Sequence, residues 1–248
     1  MKKCILFIAL LLCVQFYAMA QSQADADKAY AQNDFQKAAK IYGDLLSENE
    51  SSALYYNLGN CYYRLGMPAK ALLNYERAAL LNPSDKDIQA NIEFLNTQLS
   101  DKTTRPTKFF FVIGWEAFRN SMNLQGWIFT GILAFILFLV SIFLYLFSKS
   151  MTVRKISFFG GFFFFLACII SNHFAYSQYR NMTQRNTALI MTSGATVRSA
   201  PTETGTALTV LPEGLKIHIT DSSMRGWKEI EFDNDKKGWI KDESIEII

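Results

Sequence analysis

The spacing of apolar residues changes twice along this chain, and each stretch predicts a different kind of structure. Up to about residue 100, apolar positions recur every three or four residues, as on helices that bury one face. Ile88, Ile92, Leu95 and Leu99 form one such stripe, and Pro83 with Ser84 before it predicts a helix stop followed by a cap. Two apolar runs come next, Trp127–Phe147 and Ile156–Tyr176, the second unbroken only to Ile170 before Ser171-Asn172-His173. Both fall in the ~17–25 residue range of a bilayer-spanning helix. From Thr187 the period falls to two, in short runs such as Leu215–Ile219 and Gly226–Ile230 separated by turn residues. The pattern predicts a multi-domain chain. It has α-helical repeats over 21–100, a linker and interfacial helix over 101–126, two transmembrane helices at 127–147 and 156–176 joined by a loop at 148–155, and a small all-β barrel over 187–248.

The helical part repeats itself. Residues 55–83 place Tyr55, Leu58, Gly59 and Tyr62 on one helix and Ala71, Tyr75, Ala78 and Pro83 on or just after the next. The second half of that pattern recurs earlier in Phe35-Gln-Lys-Ala38-Ala39-Lys-Ile-Tyr42, at a shift of 33 residues. Gly59 is small where two helices of a pair come close, and Gly66 suits the turn between them. This segment resembles the tetratricopeptide repeat. In that family the first helix of each pair lines a concave face. The resemblance therefore implies a partner-binding groove at Tyr30, Tyr56, Asn60, Tyr63 and Arg64, suited to an extended peptide or a partner helix. The plainer alternative is that these residues are an exposed face with no client. Gln23 and Tyr56 stand where a carboxylate-gripping lysine is needed, so no specificity for a chain terminus is expected.

The β part carries Val197-Arg-Ser-Ala-Pro201, Leu211-Pro-Glu-Gly214 and two Gly-Trp pairs, Gly226-Trp227 and Gly238-Trp239. In this order they resemble the bacterial SH3 family, giving an SH3-like domain over 187–248. Trp227 and Trp239 invite a ligand-binding reading, but the resemblance implies that such Gly-Trp pairs build the core. His218 alternates with Ile217 and Ile219 and is expected on the solvent side. Relatives of this module bind cell-wall peptides or mediate contacts, so fold alone does not decide between protein and peptidoglycan partners.

Lys2 and Lys3, the apolar Ile5–Val14 and Ala18-Met19-Ala20 read as a signal peptide over 1–20 with Gln21 as the mature start. The chain then enters the membrane from outside. Lys149, Arg154 and Lys155 fall on the cytoplasmic side, as the positive-inside rule asks. Lys102, Arg105, Lys108 and Arg119 near the first span argue the other way, but the signal commits the start of the chain to export. The expected location is a bacterial inner membrane crossed twice, with both soluble domains facing the periplasm. Phe109–Ile113, Trp115 and Phe118 read either as an interfacial helix on the bilayer or as a buried helix of the repeat domain.

Composition narrows the functions. The formal net charge is +3, too small to suggest nucleic acid. The repeat region and linker (21–125) hold 11 basic and 12 acidic side chains, and the β region (187–248) holds 7 and 10. Two cysteines, Cys61 and Cys168, remain after signal removal, so neither a disulfide framework nor a metal set is expected. Cys61, at a helix-packing position, reads as a small core residue rather than a redox reporter. The only histidines, His173 and His218, lie far apart. No phosphate loop or metal-hydrolase motif occurs. The chain is read as a non-enzyme, with no catalytic residues, no metal and no cofactor.

Signal, short repeat array, membrane hairpin and terminal SH3-like domain, with Leu81-Asn-Pro-Ser-Asp-Lys-Asp-Ile-Gln-Ala-Asn-Ile-Glu-Phe94 leading into the aromatic pre-membrane segment, resemble the family of the E component of the Bacteroides aerotolerance (Bat) operon. That resemblance implies a membrane complex with von Willebrand A-type Bat membrane proteins beside a MoxR-type ATPase. It also implies a role in tolerance of oxygen or envelope stress.

Overall fold

The computed structural model describes residues 22–99, 109–232 and 236–248. The signal-peptide reading and the first part of the linker, 101–108, lie outside these residues. The described chain forms two compact units. One comprises residues 22–79, 86–99 and 185–248, and the other comprises 80–85 and 109–184.

The first unit begins with the helical repeats: α1 (22–31), α2 (Phe35–Glu48), α3 (Ser52–Arg64), α4 (Pro68–Leu81) and α5 (Lys86–Leu99). Asp34 caps α2, its carboxylate accepting from the Lys37 amide at 3.2 Å. This satisfies one of the free N–H groups at a helix start. The residues that share one face of each helix are the buried ones. Ala26, Ala29, Ala38, Tyr42, Leu45, Leu54, Leu58 and Cys61 form a single core, and Ile88, Ile92 and Leu95 are buried along α5. The helix α5 starts at Lys86, and the Ser84 hydroxyl donates to the Asn82 side chain at 2.9 Å.

The same hydrogen bond occurs in both repeats. The Tyr42 hydroxyl donates to Asp27, and the Tyr75 hydroxyl donates to Asn60 Oδ1 at 2.6 Å; both partners are shifted by 33 residues. A tyrosine on the second helix of each pair thus reaches a short polar side chain on the first. Gly59 makes room for this in the second repeat. A Cβ there would lie 2.7 Å from the Tyr75 ring.

The β domain completes this unit. Its strands are β1 (Thr187–Ile190), β2 (Ala195–Arg198), β3 (Ala207–Leu211), β4 (Lys216–Asp221), β5 (Trp227–Phe232), β6 (Lys236–Lys241) and β7 (Ile245–Ile247). They form one antiparallel sheet in the order β3-β2-β6-β5-β4-β1-β7 around a core of Ala188, Ile190, Val197, Ile217, Ile219, Ile230 and Ile240. His218 is exposed between buried Ile217 and Ile219, as alternation requires. The tryptophans depart from expectation: Trp227 and Trp239 are only half-buried. The inward positions beside Trp239 are Gly238 and Ile240, both buried. A Cβ on Gly238 would meet Val197 at 2.4 Å. Period-2 alternation therefore turns Trp239 to the outer face. Glu229, its paired residue on β5, lies there too, two residues from Trp227.

The second unit holds α6 (Phe110–Arg119), α7 (Leu124–Phe147) and α8 (Met151–Gln184). The helices α7 and α8 are long and apolar enough to cross a membrane. They outrun the apolar runs of the sequence. Asn123 caps α7 through the Gly126 amide at 2.9 Å. Residues 151–155, expected in a loop, already belong to α8. At 34 residues α8 is about 51 Å long, more than a ~30 Å hydrocarbon core. Small residues line the α7–α8 seam. A Cβ on Gly131 would sit 3.5 Å from Ser171, and one on Gly161 3.3 Å from Ser141. Close backbone approach through such residues replaces the hydrophobic driving force that is missing between helices in lipid.

The helix α6 packs within this unit. Trp115 and Phe118 meet buried Phe174 of α8 edge-on, and Phe118 also meets Trp127 of α7. Gln178 Nε2 donates to the carbonyls of Arg119 at 3.0 Å and Met122 at 2.8 Å, and Trp127 Nε1 donates to Arg119 at 2.8 Å. The carbonyls at the end of α6 are thereby tied to both long helices. Phe109, Phe110 and Phe111 remain exposed.

Two glycines test the packing in opposite directions. Gly59→Ala drives a methyl into the Tyr75 ring, and overpacking of this kind costs ~1–3 kcal/mol. Gly43, in the middle of α2, has open space around it. Gly43→Ala should add ~0.5–1 kcal/mol through helix propensity. Thermal unfolding of the detergent-purified chain, followed by tyrosine near-UV dichroism, should show a lowered midpoint for Gly59→Ala and a raised one for Gly43→Ala.

Candidate functional site

The five groove residues of the sequence come from α1 and α3. Tyr30 lies on α1, and Tyr56, Asn60, Tyr63 and Arg64 lie on α3. On α3, positions 56, 60, 63 and 64 share one face by their spacing of three and four. The opposite face, with Leu54, Leu58 and Cys61, is buried. The same periodicity that packs the repeat thus sets these side chains on the other side of the helix.

The structure draws in residues that sequence spacing alone does not give. Tyr75, buried on α4, stands at the centre. Its ring lies 5.7 Å from that of Tyr56, its hydroxyl bonds Asn60, and it is within electrostatic reach of Tyr30 and Tyr63. At one end, Phe35 takes Tyr30 edge-on at 5.2 Å and carries the Arg64 guanidinium over its face at 4.7 Å. At the other end, the helix α5 contributes Asn91 and Phe94. Asn91 Nδ2 donates to the Tyr56 hydroxyl at 3.4 Å, and Phe94 meets Tyr63 edge-on at 6.0 Å. Phe94 was visible in the sequence only as an aromatic off the apolar stripe of α5.

Accessibility divides this face. Tyr63 is 40% exposed and Phe94 51% exposed, so this aromatic pair is open to a partner. Arg64 is exposed, while Tyr30, Tyr56 and Asn60 are half-buried. Asn60 uses its oxygen on Tyr75. Among the described residues its amide nitrogen makes no hydrogen bond, which leaves two donors. The arrangement offers aromatic edges, amide donors and one cation. It supplies no nucleophile beside a base and, among the described residues, no group of three or more metal-ligating side chains. Chemically it can hold a peptide or a helix surface.

Burial raises the pKa of the groups behind this face. Tyr75 is pushed well above the usual phenol range by loss of water, and Tyr42 by loss of water and its bond to Asp27. Burial alone pushes the Cys61 thiol up to about 11. A thiol so placed is protonated at neutral pH and unreactive, which fits the reading of Cys61 as a core residue.

A second surface lies on the outer face of the sheet. Trp227, Glu229 and Trp239 share it, and Arg198 is paired with Trp239 across strands β2 and β6. Two half-buried indoles beside a guanidinium and a carboxylate form a shallow polar-aromatic patch.

Comparison with known families agrees with this architecture. Residues 52–85 match the tetratricopeptide repeat, and residues 193–246 match the bacterial SH3 domain. The chain thus joins a protein-interaction repeat to a bacterial SH3 module, with two long apolar helices between them in sequence. A search of curated proteins finds no match to the chain.

The raised phenol pKa values fix a pH dependence. A neutral tyrosine is favoured in the fold, so its contribution is complete below the unfolded value of ~10 and is lost as pH rises toward the folded one. The thermal midpoint should fall more steeply between pH 9 and pH 11 in the native chain than in Tyr75→Phe. A bulky maleimide at pH 7 should leave Cys61 unmodified until denaturant is added; mass spectrometry of the peptide containing Cys61 reads the difference.

Proposed function

We propose that this chain is a non-enzymatic scaffold anchored in a bacterial inner membrane by α7 and α8, with its repeat domain and SH3-like domain in the periplasm. The observation that carries the reading is the open aromatic–amide face built by α3 and α5 on a repeat of protein-interaction type. The uncovered apolar surface of the long helices supports the anchor. Only 22% of the most apolar window of α7 and 11% of that of α8 is buried. The exposed aromatics of α6, held by Gln178 and Trp127 against the hairpin, suit the interfacial zone of a bilayer.

The order of modules and the stretch Leu81–Phe94 support a place in a Bat-type complex. In it the groove holds von Willebrand A-type membrane proteins, with a role in tolerance of oxygen or envelope stress. Tyr30, Tyr56, Asn60, Tyr63 and Arg64 are the proposed contacts, joined by Phe94. An alternative is favoured by the outward-facing Trp227 and Trp239: a membrane anchor that binds peptidoglycan through the SH3-like domain.

Tyr63 and Phe94 separate these readings, because both are exposed and neither supports the core. Tyr63→Ala with Phe94→Ala should reduce co-purification of von Willebrand A-type partners about tenfold, the scale of a hot-spot pair, with unchanged thermal stability. Unchanged recovery counts against the groove. Co-sedimentation with peptidoglycan that is lost in Trp227→Ala/Trp239→Ala would favour the alternative.

A further inference from the structure

The repeat domain and the β domain meet within the first unit, although the two long helices separate them in sequence. Three polar links join them. Lys216 Nζ of β4 lies 2.7 Å from Glu76 Oε2 of α4. Arg77 Nη2 of α4 reaches Glu246 Oε1 of β7 at 3.1 Å and donates to the Ile247 carbonyl at 2.6 Å. Arg185, just before β1, lies 3.2 Å from Glu50, which also accepts from the Tyr55 hydroxyl at 3.0 Å. An apolar contact adds to them: a Cβ on Gly214 would fall 2.7 Å from Leu99 Cδ1, so the turn before β4 lies directly on the end of α5.

The charges alternate in a complementary way. The repeat domain offers Glu50, Glu76 and Arg77 against Arg185, Lys216 and Glu246 of the β domain. The bond from Arg77 to Ile247 is made to a particular place. The strand β7 is one edge of the sheet, and an open edge presents unpaired backbone groups that invite strand pairing with another chain.

We infer that α4 and the end of α5 form a built-in docking surface for the SH3-like domain, an electrostatic clasp that guards the β7 edge and joins the two modules into one receptor. Exposed ion pairs are individually weak and screened by salt. The clasp holds because both modules belong to one chain, which makes their encounter intramolecular, and it opens when ionic strength rises. The α3 face stays free while α4 is occupied, so a client of the groove meets a receptor that carries the β domain at a fixed place. Where the chain spans a membrane as proposed above, the clasp also requires both modules on one side, which two crossings provide.

Zero-length carbodiimide crosslinking of the full chain in gentle detergent tests this without reliance on the membrane reading. The reagent joins the Glu76 carboxylate to the Lys216 amine as an amide, with loss of water to the carbodiimide. The Glu203–Lys241 pair, wholly inside the β domain, serves as the internal control. The expected result is a Glu76–Lys216 crosslink within single chains, shown by a mixture of light and 15N-labelled protein. Its yield should fall about threefold between ~0.05 and ~0.5 M salt. Arg77→Glu should lower it severalfold, and Arg77→Glu with Glu246→Lys should restore it. A control crosslink without the Glu76–Lys216 product overturns the clasp. So do mixed-isotope products, or a yield that Arg77→Glu leaves unchanged.

Discussion

The rest of this structure depends on apolar surface that the protein itself does not cover. The helices α7 and α8 pack on each other through Gly131, Gly161, Ser141 and Ser171, which brings their backbones close but leaves most of their Phe, Leu and Ile side chains facing outward. In water such a surface drives association; in lipid it is already solvated. The aromatic cluster of Trp115, Phe118, Trp127 and Phe174, with Gln178 bonded to the carbonyls that end α6, fixes a short amphipathic helix to one end of the hairpin. The polar modules have cores of their own.

The repeat domain shows how a small array becomes specific. Two repeats bury little surface each, and stacking supplies most of their stability. The matched bonds from Tyr42 to Asp27 and from Tyr75 to Asn60 add a polar register to that stacking. In the second repeat the bond also orients Asn60 toward the groove with its amide donors free. Packing and the proposed recognition face thus share one tyrosine. The docked β domain gives the array a further neighbour, in place of the additional repeats that longer solenoids use.

Much of this was legible in the amino-acid sequence, because period carries so much of the information. The change from 3.6 to two and the two apolar runs match the helical, long-helix and strand segments of the described residues. Gly59 and Ala71 announced the close helix pair. Other features depend on contacts between distant residues. Phe94 and Asn91 join the proposed groove because α5 lies against α3, which no spacing within α5 reveals. The tryptophans were expected in the core, but the inward positions on β6 belong to Gly238 and Ile240, and only the strand register shows this. The links between Glu76, Arg77, Lys216 and Glu246 join residues 140 or more positions apart; in sequence they are ordinary surface charges.

The most direct measurement is the sidedness of three single-cysteine variants in native membranes: Lys40→Cys on the repeat domain, Ser150→Cys between α7 and α8, and Thr204→Cys on the β domain. All three sites are exposed; native Cys61, which is buried, and native Cys168, which is half-buried, are replaced by serine. A membrane-impermeant maleimide is added to cells whose outer membrane has been opened. The predicted result is labelling at positions 40 and 204, with position 150 protected until the inner membrane is lysed. Labelling at only one of positions 40 and 204 would put the two soluble modules on opposite sides and contradict both the hairpin topology and the receptor they form together.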